Sequence, residues 1–170
     1  MPRPGLLAFG LIVLCLACAP RQPKVYHVEQ GRTYAEDRAM VWQRAQSFLE
    51  ANGITVTRAD PMSGVIEAER RDYQDAGWAD CERAWVSDQT LNSPAPTRAS
   101  PISRDLALEV TVRPSAGGTE VQPRARFTEQ QLDPYRNWPF TQPCRSTGVL
   151  ETALLNALGA TPPPPAAPQA

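Results

Sequence analysis

The chain has 170 residues, 42% of them apolar and 21% charged, with 17 Lys and Arg against 18 Asp and Glu and a net charge of −1. So even a balance supplies no basic field for a phosphate backbone, and it excludes nucleic acid as a partner on electrostatic grounds. A single histidine excludes a histidine-built metal centre, and neither a metal nor another cofactor is expected.

Leu6 to Ala17 form a 12-residue apolar run behind Arg3 and the amino terminus, and the small residue Ala17 precedes Cys18. A positive start, an apolar run and a small residue are the layout of a secretory leader. The run falls short of the roughly 20 apolar residues needed to cross a bilayer. Ala19-Pro20-Arg21-Gln22-Pro23 then ends it, so a retained transmembrane helix is not expected.

Cys15-Leu16-Ala17-Cys18 resembles the lipobox of bacterial lipoproteins. The resemblance covers the leader alone. It implies that residues 1–17 are a signal peptide, that cleavage falls before Cys18, and that this cysteine carries the acyl chains. The sequence departs from the family pattern at Cys15, where a branched aliphatic residue is usual. Cutting before Cys15 instead would place Leu14 at a position where the family has a small residue, which favours Cys18. Ala19 stands where lipoproteins retained at the inner membrane of Gram-negative bacteria have Asp, which implies the periplasmic face of the outer membrane. Two or more acyl chains anchor a protein stably, so the expected partner at this end is the membrane itself.

Removing residues 1–17 takes away one cation, Arg3, and no acid, which leaves the remainder at a net charge of −2. Of four cysteines, Cys15 leaves with the leader and Cys18 is taken by lipid, so Cys81 and Cys144 remain as a pair. An oxidising compartment would join them. Closing so long a loop stabilises a fold by roughly 4 kcal/mol in the chain-entropy view.

Residues 18–32 read as a polar tether with the sole histidine, His27, inside it. Extended, the tether spans roughly 40 Å. The folded domain is expected over 33–159. Thr33-Tyr34-Ala35-Glu36 has the form of a capping box, and Val41, Ala45, Phe48 and Leu49 recur behind it at helical spacing, with Trp42 beside the stripe. Asn52-Gly53 stops that helix.

From Ile54 the period changes to that of a strand. Ile54 to Arg58 and Val65 to Arg70 flank the turn residues Asp60-Pro61-Met62-Ser63-Gly64, so a hairpin is expected, with Glu67, Glu69, Arg70, Arg71 and Asp72 facing outward. Cys81 to Ser87 reads as a third strand, after an irregular stretch containing Trp78. Asp80 and Glu82 form a carboxylate pair, but nothing in their spacing demands acid–base chemistry. Asp88 to Ser103, with three prolines, reads as a long loop.

Leu106, Leu108, Val110 and Val112 alternate cleanly, and Val121, Ala125 and Phe127 line a returning strand that Pro123 pushes toward an edge or a bulge. Gln131 to Pro143 reads as a loop carrying Tyr135, Trp138 and Phe140. Ser146 or Thr147 caps a last helix whose inner stripe is Leu150, Leu154, Ala157 and Leu158. Residues 160–170, rich in proline, cannot pack a core and read as a disordered tail.

The expected architecture is α+β: a single domain with an antiparallel sheet of about five strands and two amphipathic helices packed on one face. The capped helix ending in Asn52-Gly53-Ile54, the Asp60 to Gly64 turn and the closing helix resemble the helix-grip domains of a lipoprotein component of the outer-membrane β-barrel assembly machinery and of related envelope lipoproteins. The resemblance implies an envelope setting and transfers no functional residue. The chain departs from that family in having one domain and a disulfide.

The expected function is that of a non-catalytic envelope lipoprotein accompanying an outer-membrane or cell-wall assembly, with an envelope protein as partner. Trp78, Tyr135, Trp138 and Phe140 are its candidate interaction surface. The alternative is a module that holds a ligand or lipid in a pocket between helix and sheet. No Ser/His/Asp set or nucleotide loop supports an enzyme.

Overall fold

A computed structural model describes residues 24–73, 77–87 and 96–159. The leader, Cys18, the start of the tether, the middle of the proline-rich loop and the carboxyl-terminal tail lie outside the described residues. In chain order the elements are β1 (Arg32–Tyr34), α1 (Arg38–Ala51), β2 (Thr55–Asp60), β3 (Val65–Arg70), β4 (Ala79–Asp80), β5 (Trp85–Val86), β6 (Thr97–Arg98), β7 (Ser100–Ser115), β8 (Gly118–Asp133), β9 (Trp138–Ser146) and α2 (Val149–Gly159). The α+β class holds, but the sheet has seven strands rather than five, in the order β2-β3-β7-β8-β9-β4 with β1 added beside β8. Strands β5 and β6 form a separate two-stranded ribbon.

The β7–β8 hairpin is the frame. Its two strands of 16 residues pair from Ser100↔Leu132 to Ser115↔Gly118. Because side chains alternate between the faces of a strand, Leu106, Leu108, Val110 and Val112 of β7 share one face with Val121 and Phe127 of β8. That face meets Val41, Ala45 and Leu49 of α1 and Leu150, Leu154, Leu155 and Leu158 of α2 in one core. The opposite face stays open, with Asp105, Ala107, Arg124 and Arg126 on it.

Besides the stretch read as a loop over Asp88 to Ser103, in which Thr97–Arg98 and Ser100 to Ser103 are strand, four expectations need correction. First, Thr33 does not cap the helix. Thr33 and Tyr34 are drawn into β1, opposite Glu120 and Thr119, and the buried Tyr34 donates its phenol to the Leu155 carbonyl at 2.6 Å. The helix start therefore moves to Asp37, whose carboxylate accepts the Met40 amide at 2.9 Å. Second, the stretch read as a loop up to Pro143 contains β9 from Trp138 onward, paired with β8 from Asp133↔Trp138 to Phe127↔Cys144. Pro139 and Pro143 hide this strand from a reading based on propensity, yet over those residues β9 has no strand on its outer side, where a missing N–H costs nothing.

Third, Cys81 to Ser87 is not a full strand. Only Ala79–Asp80 joins the sheet, while Trp85–Val86 pairs with Thr97–Arg98 over the end of the hairpin. Fourth, Arg70 does not face outward with Glu67 and Glu69. It lies on the core side, donates to the Asn52 carbonyl at 2.7 Å and so closes the carboxyl end of α1. Pro123 does sit at a local edge: β1 flanks β8 only up to Val121 and β9 only from Phe127.

At its carboxyl end α1 stops where expected, with Gly53 at a φ of +63° and the Asn52 side chain donating to the Phe48 carbonyl. In α2, Ser146 accepts the Gly148 amide and donates to Glu151 at 2.7 Å, fixing the first turn. Leu155, which the inner stripe omitted, is fully buried.

Candidate functional site

The hairpin is longer than the two helices that cover it. Beyond Phe127 the covered face of β8 continues with Glu129 and Gln131, where the alternation holds but the chemistry turns polar. Both side chains are buried. Arg104, opposite Glu129 in the β7–β8 register, donates to it at 2.7 Å, and Gln131 donates to its other oxygen at 2.5 Å. The amide oxygen of Gln131 accepts the Ala84 backbone N–H at 3.0 Å, and the Ala84 carbonyl accepts from Ala99 at 2.9 Å. A buried polar triad thus seats the segment 81–87 and the β5–β6 ribbon on the end of the hairpin.

The disulfide ties the same segment to β9. Cys81 and Cys144 are bonded at an S–S distance of 2.03 Å across 63 residues, as the cysteine count predicts. Just before Cys81, Asp80 pairs with Arg145 of β9. Just after it, the Glu82 carbonyl accepts from Gln131 and from Gln142.

Two tryptophans come to the surface of this assembly. Trp85 is 62% exposed and Trp138 69% exposed, with Ile102, in the β7 bulge, also exposed. The Arg98 guanidinium lies 4.5 Å from the Trp85 ring centre, a cation–π arrangement that holds the indole in place. Tyr135 shares a hydrogen bond of 2.7 Å with Thr97, which joins the β8–β9 turn to the ribbon. Single exposed apolar residues are ordinary, and here two large aromatics are exposed toward one end of the frame.

Of the candidate surface residues, Tyr135, Trp138 and Phe140 are brought together here, Phe140 opposite Gln131 and half-buried. Trp78 is not among them. It is buried, stacked on Tyr73 at 5.7 Å between centroids, beneath the Arg70 guanidinium, so it belongs to the core. Trp85 was missed as a surface residue, although the alternation Arg83, Trp85, Ser87 against Ala84 and Val86 puts it on the polar side. Cys18 lies outside the described residues.

Residues 24–31, read as tether, lie against the domain. Tyr26 donates to Asp80 Oδ2 at 2.5 Å, and the Lys24 ammonium reaches the same oxygen at 3.3 Å. Arg32 pairs with Glu29 at 2.8 Å and donates to Asn156 on α2. The His27 carbonyl packs so closely on Gly148 that a Cβ there would collide with it. The hydrogen bond from Tyr26 holds the Asp80 carboxyl below the usual carboxylate range, Lys24 adding to the effect, and the same bond pushes the Tyr26 phenol up. Asp80 is therefore the docking point for residues 24–31.

At its centre the helix–sheet interface is closed, and a groove lined by Gln46, Glu50, Ile54 and Val56 lies where α1 meets β2. Val41, Leu49, Ile66, Val110, Val112, Leu150, Leu154, Leu155 and Leu158 have no accessible surface, and a void able to admit water would have given them some. Among the described residues no group of His, Cys, Asp or Glu is placed to hold a metal ion, and no helix is long and apolar enough to cross a membrane. No protein-family model matches this chain, and no curated protein matches it either.

Proposed function

We propose that this chain is a non-catalytic, lipid-anchored envelope lipoprotein, acylated at Cys18 and held at the periplasmic face of the outer membrane as an accessory component of an outer-membrane or cell-wall assembly. The observation that carries the reading is the Cys81–Cys144 bond. It uses the two cysteines left once the leader is removed and Cys18 is acylated, and a stable disulfide belongs to an exported protein. Support for a non-catalytic role comes from the way the acids are engaged. Asp80 is held by the tether, and the buried Glu129 is held by Arg104 and Gln131.

The helix-covered, one-sided sheet suits the helix-grip likeness, and its open face of Asp105, Arg124 and Arg126 offers charged side chains to a protein partner. The test is a photo-cross-linking residue at Arg126 in intact cells, with Cys18→Ser as control. One envelope protein captured reproducibly, and lost in the control, is the expected result. Equal capture in both would separate partner binding from anchoring and overturn the reading.

A further inference from the structure

We infer that a second copy of this chain docks on the open face of the sheet, the two sheets packing face to face about a twofold axis that runs along the strands between β7 and β8. This rests on the reading of that face as a protein contact, and it names the partner.

The first argument is where the charges sit. In the middle of the open face the acids gather on β3 and β7, as Glu67, Glu69, Asp105 and Glu109, and the cations on β8 and β9, as Arg124, Arg126 and Arg145. Those four strands are neighbours in that order, so one half of the surface is acidic and the other basic. Solvated surfaces ordinarily intersperse the two signs. Glu67 and Glu109 even stand directly opposite each other, an arrangement that costs stability in a sheet. Arg58 lies 3.4 Å from Glu67 and Arg71 lies 3.5 Å from Glu69, both exposed pairs. Glu109 and Arg124 are register partners, yet among the described residues their side chains and that of Arg126 form no ion pair or hydrogen bond.

The second argument is symmetry. The twofold axis lays β8 of each copy over β7 of the other, and β9 over β3. Register then sets Arg124 against Glu109 of the second copy, and Arg113 against its Glu120. Glu69, Ala107 and Arg126 form one row across the sheet, and Arg145 ends that row, one step past the Phe127↔Cys144 pair. The same operation therefore sets Arg145 against Glu69 of the second copy. At Ala107 a hollow of about 480 Å³, with Glu69 and Asp105 on its acidic side, has room for the opposing Arg126 guanidinium. An isologous interface makes every such contact twice. Exposed ion pairs are each weak, so the copies pair where one membrane confines them at high local concentration.

The test uses intact cells in which two differently tagged copies of the whole chain each carry a photo-cross-linking residue at Gln122, on the same face. A product that contains both tags is the expected result, and Cys18→Ser should lose it because the copies are no longer confined. Glu109→Arg in both copies, or Arg124→Glu in both, should abolish it by setting like charges against each other. Glu109→Arg in one copy with Arg124→Glu in the other should restore it, since both contacts then match again, and restoration also shows that the variants fold. Indifference to the reversals, or no restoration in the mixed pair, overturns the face-to-face pairing. Capture of a different envelope protein alone overturns it too, but leaves the face as a partner surface. A product that persists in Cys18→Ser keeps the pairing and overturns the anchored reading. Capture of no protein overturns both.

Discussion

Tyr26 and Asp80 are 54 residues apart in sequence and share a hydrogen bond of 2.5 Å that clasps the amino-terminal segment to the sheet edge. The bond fixes where residues 24–31 leave the domain. Tyr26→Phe or Asp80→Ala should release residues 24–31 while leaving the core intact. Hydrogen exchange should rise in that segment alone, and the melting temperature should move little, since a single part-buried hydrogen bond contributes only about 1 kcal/mol.

The same clasp has a defined pH window. Asp80 is held low in the docked state, so docking is favoured above the pKa of a free carboxylate and is lost as pH falls through the lowered value. Tyr26 is pushed up, so docking persists below the pKa of a free phenol and is lost as pH rises through the raised one. Exchange protection of residues 24–31 should therefore form a plateau across neutral pH and fall at both ends. Asp80→Asn should remove the acid edge.

Tyr34 behaves differently because it is buried. Burial pushes its phenol up to about 12, so the folded state holds the proton more tightly than the unfolded chain. Stability is complete below the ordinary value of 10.0 and is lost as pH rises through about 12. Denaturant titrations should show a decline on the order of 2 kcal/mol across that interval. Tyr34→Phe should abolish this decline and cost about 1 kcal/mol at neutral pH, through loss of its hydrogen bond to the Leu155 carbonyl.

The triad under the ribbon predicts an asymmetry. Glu129 is buried and paired with Arg104, so Arg104→Leu leaves a charge without its counterion and should cost about 3–5 kcal/mol. Replacing both with Leu should cost less than replacing Arg104 alone. A double-mutant cycle by chemical denaturation checks this, and a double-variant cost equal to the sum of the two single-variant costs would show that the pair is not coupled.

The disulfide holds the aromatic end together. Cys81→Ser/Cys144→Ser should destabilise the domain by roughly 4 kcal/mol, the figure for a loop of 63 residues. Limited proteolysis in reducing buffer should cut first near the ribbon.

Much of the core was legible because period survives context. Val41, Ala45 and Leu49, the Leu106 to Val112 alternation and the Leu150, Leu154 and Leu158 stripe all pack where their spacing put them. What stayed hidden depended on partners far along the chain. Thr33-Tyr34-Ala35-Glu36 has sound local capping chemistry, yet pairing with β8 outweighs one cap. The strand at Trp138 was masked by prolines that its outer edge tolerates. Glu129 and Gln131 face inward against their hydropathy, because Arg104 and the Ala84 amide satisfy them, and no window of sequence reveals such partners.

The most direct test of the account is the intact mass of the protein extracted from membranes, followed by mapping of its amino-terminal peptide. The account predicts a chain that begins at Cys18, carries a diacylglyceryl group and an amide-linked acyl chain on that residue, and keeps Cys81 and Cys144 oxidised. A chain that retains residues 1–17, or that begins at Cys18 without lipid, would contradict it.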